Sequence, residues 1–259
     1  MTAHNRIRHF IAALAVVVLL AATCKIFVFD AVVVSSGSME KTLRPGDFLL
    51  IDKTGYAPVG AARRLLAGTG LIFPFLAGTR APARGEVVAF SFPPNATAAG
   101  PISGEHDAII IKRCVATAGD TLRLDGNDLF VNGLPAVTGI GDPGDFFVNR
   151  SPRRVPREGD ILTLDSAGCP LWRDLIAREG HELGTDGAGG ATVDGRPAKS
   201  YTVEHTYIFV MGDNLPLSLD SRSWGFLPAG RVIGTALVVY WSLADDGSVR
   251  WDRIGTFVD

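Results

Sequence analysis

Two serines at positions 36 and 38, in the sequence Ser-Gly-Ser-Met, are the first residues of this chain that could do chemistry. A serine hydroxyl is a poor nucleophile until a neighbouring group takes its proton, so the chain must supply a base. It contains five histidines, but none lies in a recognisable motif, and His4 and His9 lie at or inside an apolar N-terminal stretch. No group of His, Cys or Asp has the spacing of metal ligands, so the sequence predicts no metal site.

Lys112 is the candidate base for this serine. It follows three isoleucines and precedes Arg113, in a run with the length and composition of a strand. Because side chains alternate between the two faces of a strand, Lys112 shares a face with Ile110 and Cys114, and Arg113 points the other way. Burial on an apolar face lowers the pKa of a lysine towards values at which it can accept a proton. A lysine on an edge strand that reaches solvent is the alternative.

Ser218, Asp220 and Arg222 form a third polar cluster, in a segment that begins with Gly-Asp-Asn at 212–214. Asp220 and Arg222 are close enough in sequence to form a bidentate pair that fixes the loop. The Ser218 hydroxyl could hydrogen-bond an uncharged lysine amine and orient it. Ordinary turn chemistry is the alternative for all three residues.

Positioning such residues requires a scaffold, and the chain begins with an apolar segment at 10–29, interrupted by Lys25. As a helix these residues span about 30 Å, which matches the hydrocarbon core of a bilayer. Basic residues precede the segment, so the positive-inside rule predicts that residues 1–9 are cytoplasmic and that the chain from residue 30 lies outside. A cleaved signal peptide is the alternative, and we favour a retained anchor because the apolar character continues past Lys25.

The remainder has the composition of an antiparallel β protein. The chain contains 30 glycines and 15 prolines, and short runs of Val, Ile, Leu and Phe recur between them. Asn132-Gly133 predicts a tight hairpin turn. Outside the anchor a helical pattern is scarce, and Leu171–Arg178, closed by Gly180, is one short candidate.

Two segments interrupt this pattern and look like insertions. Residues 57–83 contain an apolar loop that either dips into the membrane interface or folds over its own core. Residues 125–200 are weakly patterned and predict a separate, looser lobe. That lobe divides the predicted β core into a first part, 30–124, and a second part, 201–259.

Charge and cysteine content exclude some classes of protein. The net charge is −2 and the basic residues are scattered, so no basic stripe indicates nucleic-acid binding. Cys24 falls inside the apolar segment. Cys114 and Cys169 could pair in an oxidising compartment, but two cysteines do not make a disulfide framework, and we expect unpaired thiols.

Four ordered motifs resemble those of the bacterial type I signal peptidases, the Ser/Lys leader peptidases. They are Ser-Gly-Ser-Met-x-x-Thr-Leu-x-x-Gly-Asp at 36–47, Arg-Gly-Glu-Val-Val-x-Phe at 84–90, Ile-Lys-Arg-x-Val-x-x-x-Gly-Asp at 111–120 and Gly-Asp-Asn-x-x-x-Ser-x-Asp-Ser-Arg-x-Trp-Gly at 212–225. The resemblance implies a mainly β fold: an antiparallel β catalytic core with an inserted smaller β lobe, anchored by one N-terminal transmembrane helix.

The resemblance also implies a reaction and the residues that perform it. Ser38 matches the nucleophile, Lys112 the general base, and the Ser36 hydroxyl with the Ser38 backbone N–H the oxyanion hole. The implied activity is removal of N-terminal signal peptides from exported preproteins by acyl transfer, without a cofactor, by a monomer in the bacterial inner membrane. The matching serine that orients the lysine and its supporting pair are Ser218, Asp220 and Arg222.

Substrates of this family carry small side chains at the third and first positions before the cut. An extended substrate is expected to pair as an added strand between residues 31–35 and 109–111. The residues that we expect to line its shallow pockets are Val32, Val34, Leu43, Leu49 and Ile111.

The chain departs from the family pattern at three places. Ser35 and Lys41 stand where proline is usual, and Leu-Pro-Leu at 215–217 replaces a polar run. Lys41 supplies a second amine that could compete as base, and we expect it to point to solvent.

Two alternative functions remain open at this point. One is a maturation peptidase for conjugative pilin, which belongs to the same clan and uses the same chemistry. The other is a non-catalytic, anchored β binding module, which predicts that Ser38 and Lys112 lie far apart.

Overall fold

The computed structural model describes residues 3–56, 80–91, 109–147, 151–165, 168–187 and 189–259. Most of the predicted loop at 57–83, including its apolar centre, therefore lies outside the described residues. So does the side chain of Cys169, and the predicted absence of a disulfide there stays a prediction. Cys24 and Cys114 are free thiols.

A single long helix, α1 (Ala3–Phe27), begins the described chain. Its segment Ile7–Phe27 is the one helix of the described residues that is long and apolar enough to cross a membrane, with a mean hydropathy of 2.5. The predicted anchor segment, 10–29, ends two residues beyond this helix. Phe29 already pairs with Asp52 in a β-sheet, so the helix ends before it.

An eight-stranded antiparallel sheet follows the helix. Its strands are β1 (Phe29–Val33), β2 (Asp47–Asp52), β3 (Val87–Ser91), β4 (Ile109–Thr117), β14 (Tyr207–Met211), β15 (Leu227–Pro228), β16 (Val232–Ser242) and β17 (Thr256–Phe257). The strand order is β1-β2-β16-β3-β4-β14-β15, and β17 pairs with β16. Strands from the two ends of the chain therefore form one sheet, as expected for a core interrupted by an insertion.

The segment between β4 and β14 forms smaller sheets. One contains β5 (Thr121–Asp125), β6 (Asp128–Val131), β7 (Leu134–Val137) and β8 (Arg153–Arg154), and a pair is formed by β9 (Ile161–Thr163) and β13 (Ser200–Thr202). A third sheet contains β10 (Leu183–Thr185), β11 (Ala191–Val193) and β12 (Arg196–Pro197), and the helix α2 is Gly168–Arg178.

Strand pairing bears on where this inserted segment begins. The expected start at residue 125 falls at the end of β5, but β5 pairs with β6 and β8 rather than with the main sheet. The turn between β4 and β5 contains Gly119, where φ is +93°. The pairing of β5 is compatible with an insertion that begins directly after β4, and the start at residue 125 stays a prediction.

The local turn and helix signals are confirmed. Asn132 and Gly133 join β6 to β7 with φ values of 52° and 81°, as a hairpin turn with two left-handed residues requires. Gly180 follows α2 with φ of 92°, the conformation that commonly closes a helix.

The inserted segment and the main sheet share one hydrophobic cluster. Phe146 of the insertion packs edge-on against Phe226, with ring centroids 4.9 Å apart, and Phe147 lies 5.8 Å from Phe209 of β14. The weak sequence pattern suggested a looser lobe. The aromatic side chains instead pack the lobe against the strand that leads into the Gly-Asp-Asn turn.

One edge of the main sheet is incompletely paired. β3 pairs with β4 from Ile109 to Arg113, but β14 joins the opposite edge of β4 only from Arg113 onwards, where it pairs with Met211. Residues 109–112 therefore present an edge that β14 does not occupy. The 3-10 helix Gly37–Met39 contacts β4 and a second 3-10 helix at Leu215–Leu217, and the short helix α3 (Ser221–Trp224) contacts β14.

Candidate active site

Ser38 and Lys112 are in direct contact. Lys112 Nζ donates a hydrogen bond of 2.5 Å to Ser38 Oγ, and Lys112 and Ser38 are 3% and 7% exposed respectively. Ser38 lies in the 3-10 helix that follows β1, and Lys112 lies on β4 opposite Val88. The binding-module alternative, which requires the two residues to be far apart, is not compatible with this geometry.

Burial sets the proton affinity of the lysine. It lowers the pKa of Lys112 to about 8, while the charge of Asp220 raises this pKa by a smaller amount and that of Arg222 lowers it. A substantial fraction of the lysine is therefore neutral at mildly alkaline pH, where it can accept the proton of Ser38.

Ser36 places a second hydroxyl beside that of Ser38. Its Oγ lies 3.2 Å from Ser38 Oγ, within hydrogen-bonding distance, and the residue is exposed shortly after the end of β1. An exposed hydroxyl next to the reactive oxygen can turn towards a substrate carbonyl, which is what an oxyanion donor must do.

Asp220 and Arg222 form a buried ion pair. The Asp220 carboxylate accepts hydrogen bonds from Arg222 Nε at 2.9 Å and Nη2 at 3.0 Å, and from the backbone N–H of Gly212 at 3.0 Å. The remaining donors of Arg222 reach the carbonyl of Ile140 at 2.8 Å and that of Leu215 at 2.7 Å. The pair thus connects the inserted segment to the loop beside the nucleophile.

Within the described residues, Ser218 forms no hydrogen bond with Lys112. Among the described residues, its buried Oγ has no hydrogen-bond partner. The Ser218 side chain packs against Gly212, where an added Cβ would collide with the Ser218 hydroxyl and lie 2.5 Å from the Ser38 carbonyl oxygen. Ser218 therefore lies beside the nucleophile's backbone, and its role in orienting Lys112 stays a prediction.

A cavity of about 340 Å³ adjoins Ser218. The 215–223 loop forms one wall and the inserted segment the other. The lining residues are Gly139, Ile140, Gly141, Asp142, Gly144, Leu215, Pro216, Ser218, Arg222 and Ser223.

A second ion-pair network connects residues of three sequence motifs, and it was not predicted from the sequence. Asp213 accepts hydrogen bonds from Arg113 at 2.7 and 2.9 Å and from Thr42 at 2.5 Å. Burial acts to raise the pKa of Asp213, but these hydrogen bonds together hold the pKa below its usual value. This network links the motifs at 36–47, 111–120 and 212–225. Each of its three residues lies in one of these motifs, and this position was the only indication of the network in the sequence.

Asn214 holds the backbone of the nucleophile loop. Its N–H donates to the Ser38 carbonyl at 3.0 Å, and its Nδ2 donates to the Gly37 carbonyl at 3.0 Å. Both acceptors are backbone atoms, so the sequence pattern alone does not reveal this contact. Its effect is to fix the position of Ser38 relative to Lys112.

The five residues expected to line the substrate pockets are all buried within one hydrophobic cluster. Lys41, by contrast, is exposed, as expected for a side chain that points to solvent. The five cluster members are Val32, Val34, Leu43, Leu49 and Ile111.

A buried Ser–Lys pair on an antiparallel β scaffold defines a class of serine hydrolase in which lysine replaces histidine as the base. The family model described as "Signal peptidase, peptidase S26" matches residues 7–241. This chain belongs to that peptidase family.

Individual relatives agree with the family match. The chain is 28% identical to "Signal peptidase I" of Aquifex aeolicus over 230 residues, covering 83% of this chain and 77% of that protein. It is 27% identical to "Signal peptidase I" of Haemophilus influenzae over 261 residues, covering 90% and 70%. A crystal structure of a signal peptidase I from Enterococcus faecalis matches 60% of this chain and 97% of that chain at 19% identity, with a TM-score of only 0.28.

Proposed function

We propose that this chain is a membrane-anchored endopeptidase that removes N-terminal signal peptides from exported preproteins, with Ser38 as nucleophile and Lys112 as general base. The hydrogen bond of 2.5 Å from Lys112 to Ser38 carries the proposal. Membership of the signal peptidase family supports the substrate class, and the relatives named above favour it over maturation of conjugative pilin.

Neutral Lys112 accepts the Ser38 proton as Oγ attacks the carbonyl carbon of the scissile bond. The resulting oxyanion receives hydrogen bonds from the Ser38 backbone N–H and the Ser36 hydroxyl. Protonated Lys112 then gives its proton to the departing amine, and the C–N bond breaks to leave an acyl-enzyme on Ser38.

Water completes the reaction. Lys112, neutral again, takes a proton from a water molecule that attacks the ester carbonyl, and the return of this proton to Ser38 Oγ releases the signal peptide as a carboxylic acid. The Asp220–Arg222 pair and Asn214 support these reaction steps by fixing the loop around Ser38 and Lys112. We assign to Ser218 the orientation of Lys112 in the substrate-bound enzyme.

Two strand edges support the proposed mode of substrate binding. Within the described residues β1 pairs only with β2, and residues 109–112 of β4 are not paired with β14. An extended signal peptide binds between these edges by adding a strand. Its small side chains at the third and first positions before the cut lie over shallow pockets formed by the predicted residues, among them Val32 and Ile111.

The surroundings of the anchor support a location at the outer face of the bacterial inner membrane. Only Val28 separates α1 from β1. The neighbouring sheet and its C-terminal extension expose large apolar side chains, with Trp251 73% and Phe257 70% exposed. In this orientation the N-terminus is cytoplasmic, the dyad lies where a signal peptide leaves the bilayer, and one copy of the chain suffices for catalysis.

The test is cleavage of a purified preprotein by the full-length protein and its variants. Ser38→Ala and Lys112→Met are expected to lose activity by more than about 10³-fold, because each removes one half of the dyad. Lys41→Ala is the matched control, since it removes an exposed amine from the nucleophile motif, and it should retain activity. Equal activity in all four proteins would refute the assignment, and loss in Lys41→Ala with an active Lys112→Met would move the base to Lys41.

A further inference from the structure

An exposed apolar segment borders the nucleophile. It has the sequence Leu-Pro-Leu-Ser-Leu at 215–219, which we call the apolar lip, and it follows Asn214 directly. Leu217 and Leu219 are 67% and 46% exposed. One exposed leucine is ordinary on a protein surface, so the significance of these two depends on where they lie.

The apolar lip is held in a fixed position relative to Ser38. Asn214 donates to the Ser38 carbonyl at 3.0 Å and accepts from the Leu217 N–H at 3.1 Å. From the other side, Arg222 Nη2 donates to the carbonyls of Leu215 at 2.7 Å and Ser218 at 3.2 Å. A surface that is already ordered loses little conformational entropy when a ligand binds to it.

The sheet topology determines which part of a substrate reaches the lip. A strand added to residues 109–112 would lie in line with β14, because β14 joins the same edge of β4 at Arg113. Such a strand meets the turn at Gly212–Asn214 beside Lys112, where the scissile bond must lie. The chain after that bond has to leave over the residues that follow the turn, and these are the apolar lip.

We propose that the apolar lip binds the start of the mature chain and favours an apolar side chain at the second to fourth position after the cut. Residues of an extended chain are about 3.3 Å apart, so these positions lie about 3–10 Å beyond the first residue after the cut. The lip itself contains no charged side chain. This inference rests on the proposed signal peptidase activity and adds a specificity determinant to it.

Two peptides that are identical through the cleavage site test the proposal. One carries leucine and the other serine at the second to fourth positions after the cut, and kcat/KM is measured with the full-length protein in detergent. The wild-type protein should prefer the leucine peptide by about threefold to tenfold, the effect expected for partial burial of apolar side chains. The double variant Leu217→Ser/Leu219→Ser should bring this ratio close to one.

Leu134→Ser is the matched control, because Leu134 is also 67% exposed but lies in the β6–β7 hairpin. It should keep the wild-type ratio. Equal kcat/KM for the two peptides in the wild-type protein, or an unchanged ratio in the double variant, would overturn the inference and leave the proposed function intact. Failure of the wild-type protein to cleave either peptide would overturn both.

Discussion

Lys112 differs from an ordinary surface lysine in its surroundings rather than in its chemistry. It lies in a strand that pairs with β3 along one edge, and its amine reaches Ser38 from a position with almost no solvent contact. Desolvation disfavours its protonated form, which makes the amine a usable base. The same burial keeps the nucleophile and base in one arrangement.

The pH dependence of catalysis follows from this burial. The proposed role of Lys112 as base requires its neutral form, and its lowered pKa is about 8, so kcat should rise with pH and reach half of its plateau near pH 8. A profile of kcat against pH with a saturating peptide measures this point. A half-point near 10.5, the ordinary lysine value, would show that burial does not tune the base.

At the scale of elements, the turn after β14 positions Ser38, the proposed nucleophile. Gly212 occupies the narrow space between the Ser38 carbonyl and the Ser218 side chain, while Asn214 donates to the nucleophile loop. Asp220 accepts from the Gly212 N–H and is itself paired with Arg222. Hydrogen bonds within this turn therefore connect the inserted segment, through Arg222 and Asp220, to the residues beside Ser38.

Replacing Gly212 with alanine tests this arrangement. The new Cβ would collide with the Ser218 hydroxyl and the Ser38 carbonyl, so we expect kcat to fall by about 10²-fold and the free energy of unfolding by about 1–3 kcal/mol. Cleavage kinetics and denaturant unfolding measure the two effects. Gly230→Ala is the control, because a Cβ there would meet nothing within 4 Å. Similar results for the two variants would contradict the proposed crowding.

At the scale of the whole molecule, the anchor, the sheet and the exposed aromatic residues come from distant parts of the sequence and meet through neighbouring strands. β1 follows the anchor almost directly and pairs with β2, which in turn pairs with β16. Trp241 of β16 packs edge-on against Trp251, with ring centroids 6.0 Å apart. Aromatic side chains of this kind favour the interface between water and lipid.

A second contact with the membrane is therefore expected. Substituting both Trp251 and Phe257 with serine should reduce vesicle binding of a soluble fragment that lacks residues 1–28, if that fragment is shown to be folded by circular dichroism. We expect a loss of about tenfold, since two large apolar side chains no longer enter the interface. Leu134→Ser in the same fragment is the control for a general change in surface polarity. Unchanged binding in the double variant would place the membrane contact elsewhere.

The four sequence motifs predict Ser38 and Lys112 as the dyad through their resemblance to the type I signal peptidases, whereas strand periodicity alone leaves a solvent-facing Lys112 as an alternative. The backbone contacts of Asn214 could not be obtained in this way, since their acceptors are main-chain atoms more than 170 residues away. The crowding at Gly212 involves the equally distant Ser38 carbonyl together with the nearby Ser218 side chain, and it depends on how the turn folds. The strand pattern does not fix the start of the insertion, predicted at residue 125, for a related reason. A short alternating strand such as β5 has the same pattern in either sheet, and only pairing decides between them.

By itself, the sequence of this protein determined the apolar N-terminal helix, the mainly β character and the hairpin turn at Asn132-Gly133, and the resemblance of its motifs predicted Ser38 and Lys112 as the reactive pair. The first three depend on side-chain type and short-range periodicity. Tertiary structure decided that Ser38 and Lys112 touch, that burial lowers the lysine pKa, that the lobe packs onto the core and that the apolar lip stands beside the nucleophile. Those properties arise from long-range packing, which determines dielectric environment and distance and which no local pattern specifies.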